Sequence, residues 1–240
     1  MQGEFMNELA KIREAEKQSH IEIYSSAELF KEGSWLQKPV KTVTDIIPLL
    51  SDKNNLRVLD LGCGIGRNCI PIAKSFKDTD CRIDCVDILD FAIEKLYENA
   101  KFHSVENYIN GIISPIENFE ISQNTYDLII AVSALEHIDS KNSFIDKLTE
   151  IDNGLEQNGI VCLIINSNVC EKEKDTGTPI SPQFEVNLPT EELLTVLRCI
   201  FKDYQIIKET TVKQQYDIPR GNIISALSTD VVTFVAKKSI

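Results

Sequence analysis

The stretch 57-RVLDLGCGIGRN-68 decides how this chain is read. It extends an apolar run, 56-LRVLDLG-62, of the kind that makes a buried strand, and then places Gly62, Gly64 and Gly66 at alternate positions. Glycine lets the backbone turn sharply and lets a ligand approach without interference from a Cβ. The helix expected to begin near Arg67 points its unpaired N–H groups at the same place. In an open α/β sheet, ligands bind at the carboxyl ends of the strands, where strand order reverses. The glycine turn stands at such an end.

Outward from this turn, strand and helix patterns alternate. Strand runs are 81-CRIDCVD-87, 107-NYINGII-113, 126-YDLIIAVSA-134 and 159-GIVCLIIN-166. Between them, 67-RNCIPIAKSF-76 reads as a helix with Pro71 near its first turns, where a missing N–H is tolerated. The segment 89-LDFAIEKLYENAKF-102 carries a stripe of Phe91, Ile93, Leu96, Tyr97 and Ala100, and 140-SKNSFIDKLTEIDNGL-155 is helical. Apolar strands buried on both faces and joined by helices make a parallel sheet.

The last third breaks the rhythm. The helix 189-PTEELLTVLRCIF-201, with Thr190 as its N-cap, precedes two strands with no helix between them, 204-YQIIKETT-211 and 230-DVVTFVAKK-238. They are expected to pair antiparallel at one edge. Residues 166–189, polar and with three prolines, show no periodicity and read as a long loop. The expected fold is therefore α/β: a Rossmann-like, doubly wound sheet of seven strands with an antiparallel last strand and an N-terminal helical cap. The cap comprises residues 1–40 and the main domain 41–240. Residues 1–5, "MQGEF", precede a second methionine, Met6, and are set aside as a cloning remnant.

The residues around the turn narrow the ligand. A nicotinamide or flavin fingerprint needs G-x-G-x-x-G, but Arg67 stands where its third glycine belongs. Asp60, just before the first glycine, repels a pyrophosphate and attracts an ammonium group. Asp87 lies 21 residues beyond Gly66 at the end of the second strand run, where an acid accepts hydrogen bonds from ribose hydroxyls. An amino-acid end and a ribose together describe S-adenosylmethionine.

On these residues the chain resembles the class I S-adenosylmethionine-dependent methyltransferases. The resemblance is carried by "VLDLGCGIGRN", "CVDIL", "YDLIIAVSALEHI" and "LEQNGIVCLIIN", in the family's order, over about residues 40–238. "GRN" and the tail "STDVVTFVAKK" also resemble a branch of small methyltransferases that includes tellurite-resistance proteins. The resemblance implies a cofactor site of Asp60, Gly62, Cys63, Gly64, Arg67, Asn68, Asp87, Ile88, Ile113, Ser114, Val132 and Ser133. In it the glycine turn holds the methionine part, Asp87 the ribose and Ile88 the adenine. The chain departs from the family at the third strand, which usually ends in an acid that accepts from the adenine amino group. Here Ile112 and Ile113 stand there, leaving a backbone N–H of Ile113 or Ser114, or the carboxylate of Glu117, to read the ring.

Several residues carry both a chemical and a structural reading. His137 in "ALEHI" suits proton transfer near neutrality. The reading preferred here is that Glu136 and His137 bound a helix and line the pocket, because methyl transfer often needs no base. Tyr24 and Trp35 either close over the site and line an acceptor pocket, with Tyr24 a second catalytic candidate, or pack as a cap. Arg67 either meets the cofactor carboxylate or packs beside its helix. Cys63 contributes backbone, and Lys38 is solvated surface or reaches the acceptor. Residues 6–40 are expected to act as a lid.

Composition bounds the rest. With 37 acidic against 25 basic residues, the net charge of −12 disfavours nucleic acid and anionic membranes and favours a small-molecule acceptor. No apolar run approaches the roughly 20 residues that cross a bilayer. Seven cysteines, mostly in apolar runs, read as free thiols of a cytoplasmic protein. Cys81, Ile83 and Cys85 share a strand face that is expected to be core, and no metal site is expected. The rival to an enzyme is a non-catalytic, regulatory S-adenosylmethionine-binding domain, which retains the same cofactor residues.

Overall fold

A computed structural model describes residues 28–34 and 36–239, and residues 13, 17, 21, 24 and 25 before them. The apolar runs form β1 (Arg57–Leu61), β2 (Arg82–Asp87), β3 (Ile109–Ile113) and β4 (Tyr126–Val132). They are followed by β5 (Leu155–Glu173), β6 (Pro179–Ile180), β7 (Tyr204–Arg220) and β8 (Ile223–Lys238). The sheet order is β3-β2-β1-β4-β5-β8-β7, with the two-residue β6 beside β5. Strands β1 to β5 run parallel, and β8 lies antiparallel between β5 and β7. The chain leaves β1 first towards β2 and β3, then returns to β4 on its other side. Strand order therefore reverses between β1 and β4, at the glycine turn.

Alternation along β1 divides the core into two layers. Leu59 and Leu61 join the layer under α4 (Lys141–Gly154) and α5 (Thr190–Ile200), with Phe144, Leu148, Leu193 and Leu197. Val58 joins the opposite layer, formed with α1 (Lys41–Ile46), α2 (Cys69–Ser75) and α3 (Asp90–Phe102). Cys81, Ile83 and Cys85 are all buried in that second layer, as core residues. On α3, Ile93, Leu96 and Ala100 face inward as their spacing requires, but Ala92 replaces Phe91 in the buried set. Tyr97 turns outward, and its hydroxyl accepts the Gly111 N–H at 2.8 Å.

Three expectations are corrected. Residues 166–173 are not loop: they prolong β5, because β8 continues alongside them as far as the pair Glu173↔Ser225. The polar alternation there marks a strand with one open face, a pattern hidden by a shift of register between Ser167 and Cys170. Strands β7 and β8 correspondingly reach far beyond their apolar runs, to a turn at Gly221. Buried Glu171 ties this extension together, accepting from Arg220 Nε at 2.8 Å and from Ser225. Finally, Thr190 does not cap α5. Its hydroxyl donates to Asp230 Oδ2 at 2.8 Å, and Pro189 occupies the cap position.

The N-terminus of α4 is capped as helix ends require: Ser140 Oγ accepts the Ser143 N–H at 3.1 Å. Phe144, one turn on, is wholly inside the core. Urea unfolding should separate the two contributions. Phe144→Ala is expected to cost about 3–5 kcal/mol and Ser140→Ala only about 1 kcal/mol.

Candidate functional site

Each glycine of the turn is demanded by a different neighbour. Gly62 has φ +72°, and a Cβ there would meet the Ala134 Cβ at 2.3 Å, where the turn after β4 crosses it. Gly66 has φ +98°, and a Cβ there would meet Ile70 and Leu96 at 2.7 and 2.8 Å, so the loop packs against α2 and α3. A Cβ on Gly64 would meet the Tyr24 hydroxyl oxygen at 2.8 Å. The N-terminal segment thus lays a phenol over the middle of the turn.

Beside this turn lies a cavity of about 310 Å³. Its walls come from Gly62, from Asp87 to Leu89, from Pro115 to Glu117, from Ser133, Ala134 and His137, and from Glu185. Arg13, Lys17 and Tyr24 close the remaining side. Of the residues expected at a cofactor site, Gly62, Asp87, Ile88 and Ser133 line it, with Tyr24 and His137 of the acceptor candidates. Trp35 lies outside the described residues, as do residues 1–5 and most of the expected cap.

The other expected residues stand behind or beside the walls. Asn68 accepts the Val40 N–H at 3.1 Å and so anchors the segment leading into α1. Arg67 donates from Nε to the Lys38 carbonyl at 2.8 Å, and the Lys38 side chain is exposed. Burial pulls the Arg67 guanidinium below its usual range, against the opposing influence of Tyr24. Cys63 is buried in the core with its thiol pushed up to about 12, chiefly by burial, which leaves it a packing residue. Val132 is half-buried, packed against the second core layer. At the end of β3, Ile113 is exposed. The Ser114 N–H is not available to an adenine, because it donates to the Asp87 carbonyl at 2.9 Å.

The electrostatics are dominated by acids. Asp87 accepts the Gly64 N–H at 2.8 Å and the Leu89 N–H at 3.0 Å, which locks its carboxylate into the wall. Asp60 sits 1% exposed behind the turn, and neither carboxylate oxygen has a hydrogen-bond partner. Burial, with the charge of Asp87 added, raises its pKa to about 8. Among the described residues, the other buried side-chain polar atoms without a hydrogen-bond partner are Oε2 of Glu136, Oδ1 of Asp139 and Oε1 of Glu185. All are carboxylate oxygens on residues that line the cavity or stand within two positions of one that does. Glu136 is fully buried and held by Asn166, whose backbone N–H donates to Oε1 at 3.1 Å; burial raises its pKa.

Glu185 and Arg13 were not legible as site residues. Glu185 comes from the aperiodic stretch 181–189, where only the absence of pattern marked the chain. Its carboxylate meets His137 Nδ1 at 3.1 Å and lies 3.6 Å from Arg13 Nε. Arg13 also pairs with Glu117. Burial opposes the Arg13 charge, but Glu117, then Glu185 and Asp139, hold the guanidinium above its ordinary range.

The comparisons with known proteins fit this geometry. Residues 52–211 match a family described as a methyltransferase domain, and the chain belongs to that family. The ubiquinone biosynthesis O-methyltransferase of Rickettsia canadensis is 30% identical over 113 residues, which is 47% of this chain and 44% of that protein. The chain spans less than half the length of that relative. Among solved structures, TehB from Haemophilus influenzae matches with a TM-score of 0.58 at 18% identity, covering 82% of this chain and 62% of that one. The 1,6-didemethyltoxoflavin-N1-methyltransferase of Burkholderia thailandensis, solved with S-adenosylhomocysteine bound, matches at 0.53 and 15%, covering 83% and 78%. At these identities the structures speak for the fold alone: the Rossmann-like sheet read from the sequence. No helix among the described residues is long and apolar enough to cross a membrane.

Two measurements test the site. In the ligand-free protein the folded state keeps the Asp60 proton between about pH 4 and about pH 8, whereas the unfolded chain releases it. Stability should therefore fall as pH rises through that window, and Asp60→Asn should abolish the fall in urea titrations. Gly62→Ala should destabilise by roughly 1–3 kcal/mol, since a left-handed backbone and the Ala134 methyl both oppose the new side chain.

Proposed function

We propose that this chain transfers a methyl group from S-adenosylmethionine to a small acceptor. The observation that carries the reading is the set of buried carboxylates around the cavity, above all Asp60 with two unpartnered oxygens. A buried acid without a protein partner calls for an explanation, and a cationic ligand is one. A ligand with an ammonium and a sulfonium charge suits this acidic surrounding.

The residues fit that cofactor. Asp60 takes the ammonium group, and the glycine turn leaves room for the methionine chain. Asp87, on the cavity wall, accepts from the ribose hydroxyls. Ile88, Leu89 and Ile116 present apolar surface to the adenine. When bound, the cofactor brings a methyl carbon already activated by its sulfur. The protein then has to align an acceptor with that carbon and exclude water. Tyr24, Arg13 and Lys17 close the cavity on the N-terminal side, which supports residues 1–40 as a cap on a transfer domain of residues 41–240.

A dinucleotide is disfavoured by Arg67 in place of the third glycine and by Asp60 beside the turn. The net charge of −12 supports a small acceptor over nucleic acid. Free thiols at all seven cysteines support the reducing cytoplasm. The match of residues 52–211 to a methyltransferase domain favours turnover over a purely regulatory domain.

Calorimetry tests the reading. S-adenosylmethionine or S-adenosylhomocysteine should bind and NAD should not. Asp87→Ala should weaken binding at least tenfold while the circular dichroism of the fold is retained, since hydrogen bonds to a charged group contribute roughly 1.5–3 kcal/mol. Tighter binding of NAD would overturn the assignment, and unchanged affinity in the Asp87 variant would move the ribose elsewhere.

A further inference from the structure

The two edges of the sheet are finished differently. At one end of the strand order, β3 has only five residues, and its Gly111 N–H is taken by the Tyr97 hydroxyl at 2.8 Å. At the other end β7 runs for 17 residues, and among the described residues its main chain from 205 to 220 bonds only to β8. In an antiparallel pair, alternate residues turn their N–H and C=O groups away from the neighbouring strand. The outer side of β7 is therefore a row of unused donors and acceptors. Residues 210–217 are also all exposed, so neither face of the strand is covered there.

Edge strands that stay alone are blunted by shortness, proline, bulges or charge. β7 has such features only towards its ends, in the shift of register between Ile206 and Lys208 and in Pro219. The charges near its base are committed inward: Lys208 donates to the Thr42 hydroxyl at 2.9 Å, and Glu209 accepts from Arg198 Nε at 3.1 Å. Between these features, 210-TTVKQQY-216 carries one charge, Lys213, among residues that favour extended backbone. Val212, Gln214 and Tyr216 alternate onto one face, where Val212 is 54% and Tyr216 47% exposed. Open main-chain groups beside exposed apolar side chains are the chemistry of strand addition.

We propose that a second copy of this chain pairs with it along β7, the two strands running antiparallel about a two-fold axis at Gln214. The strand is self-complementary about that point. Val212 of each copy comes opposite Tyr216 of the other, an aromatic and a β-branched side chain on the same face, and the pair occurs twice by symmetry. On the other face Lys213 meets Gln215 and Thr211 meets Asp217, so no like charges oppose one another near the axis. At the two ends Lys208 comes opposite Arg220, whose charge Glu171 already meets. Neighbouring registers are poorer. An axis at Lys213 sets lysine against lysine. An axis at Gln215 parts Val212 from Tyr216 and calls on Asp217, which already pairs with Lys174 at 2.5 Å. Pairing at Gln214 joins the two sheets into one, and its isologous symmetry consumes the open edge of both copies, so growth stops at two. One strand from each side makes a small interface, so the dimer separates on dilution.

Sedimentation equilibrium of the full chain over a dilution series tests the pairing. The wild type should pass from two chains to one as it is diluted. The double variant Val212→Lys, Tyr216→Lys sets lysines opposite lysines and should be a monomer throughout, with the circular dichroism of the fold retained. The double variant Val212→Glu, Tyr216→Lys sets opposite charges across the axis and should restore the dimer. The axis is tested by disulfide formation in a Cys170→Ser, Cys199→Ser background, which removes the two exposed native thiols. Residues directly opposed in an antiparallel pair have Cα atoms about 4.5–5.5 Å apart, within disulfide reach. Gln214→Cys should therefore cross-link two chains on mild oxidation, and Gln215→Cys, whose copies lie diagonally, should not. A wild type that is monomeric at every concentration overturns the proposal and leaves the edge to a strand of another protein. A dimer indifferent to the paired lysines places the interface elsewhere, and a dimer cross-linked through Gln215→Cys but not Gln214→Cys refutes the axis. Should the lysine variant fail to fold, the wild-type dilution series and the two cysteine variants still decide.

Discussion

The close crossing of Gly62 and Ala134 is the constraint on which the site depends. The turn after β1 and the turn after β4 approach so closely that no side chain fits at Gly62. That approach brings the carboxyl ends of two adjacent strands together at the point where strand order reverses. The cavity opens at this place because helices leave the two strands in opposite directions and neither covers it. Asp60, Asp87, Ser133 and His137 owe their proximity to the crossing, although they come from three strands spread over 78 residues of chain, 60 to 137.

The electrostatic character of the site follows from where the acids are placed. Asp60 lies on the same face of β1 as Val58, beneath the glycine turn, and is buried with no protein donor to its carboxylate. Asp87 differs by one structural detail. Its oxygens are met by the N–H groups of Gly64 and Leu89. Two carboxylates from neighbouring strands are thus given different surroundings by their hydrogen bonds.

The opposite side of the cavity is built by other means. It draws on the N-terminal segment, helical at residues 13, 17, 21, 24 and 25, and on the stretch 181–189, which lacks regular structure. Asn68 holds Val40 on one side, and Glu136 holds Val186 on the other. Loops carried on a rigid scaffold are where binding groups concentrate. Here Arg13, Glu117, Glu185 and His137 form one charge network from four separate parts of the chain.

The parallel sheet and the glycine turn at the end of its first strand were legible in the sequence for a physical reason. Buried strands and amphipathic helices are dictated by local periodicity, and Asp60, the glycines and Asp87 sit at fixed distances from strand ends. The departures came where local pattern carries little information. The polar continuation of β5 beyond Asn166 is a strand only because β8 pairs with it, and Thr190 turned from a cap to Asp230 because β8 supplied a better acceptor. Ser114 lost its N–H to the Asp87 carbonyl for the same kind of reason. Glu185 had no signature, since a glutamate in an aperiodic segment looks like any solvated charge. What the sequence by itself determined is the fold and the glycine turn at the end of β1. Only the tertiary structure decided which carboxylates are buried, which donors they meet and which acid lies against His137, because those depend on contacts between residues far apart in the chain.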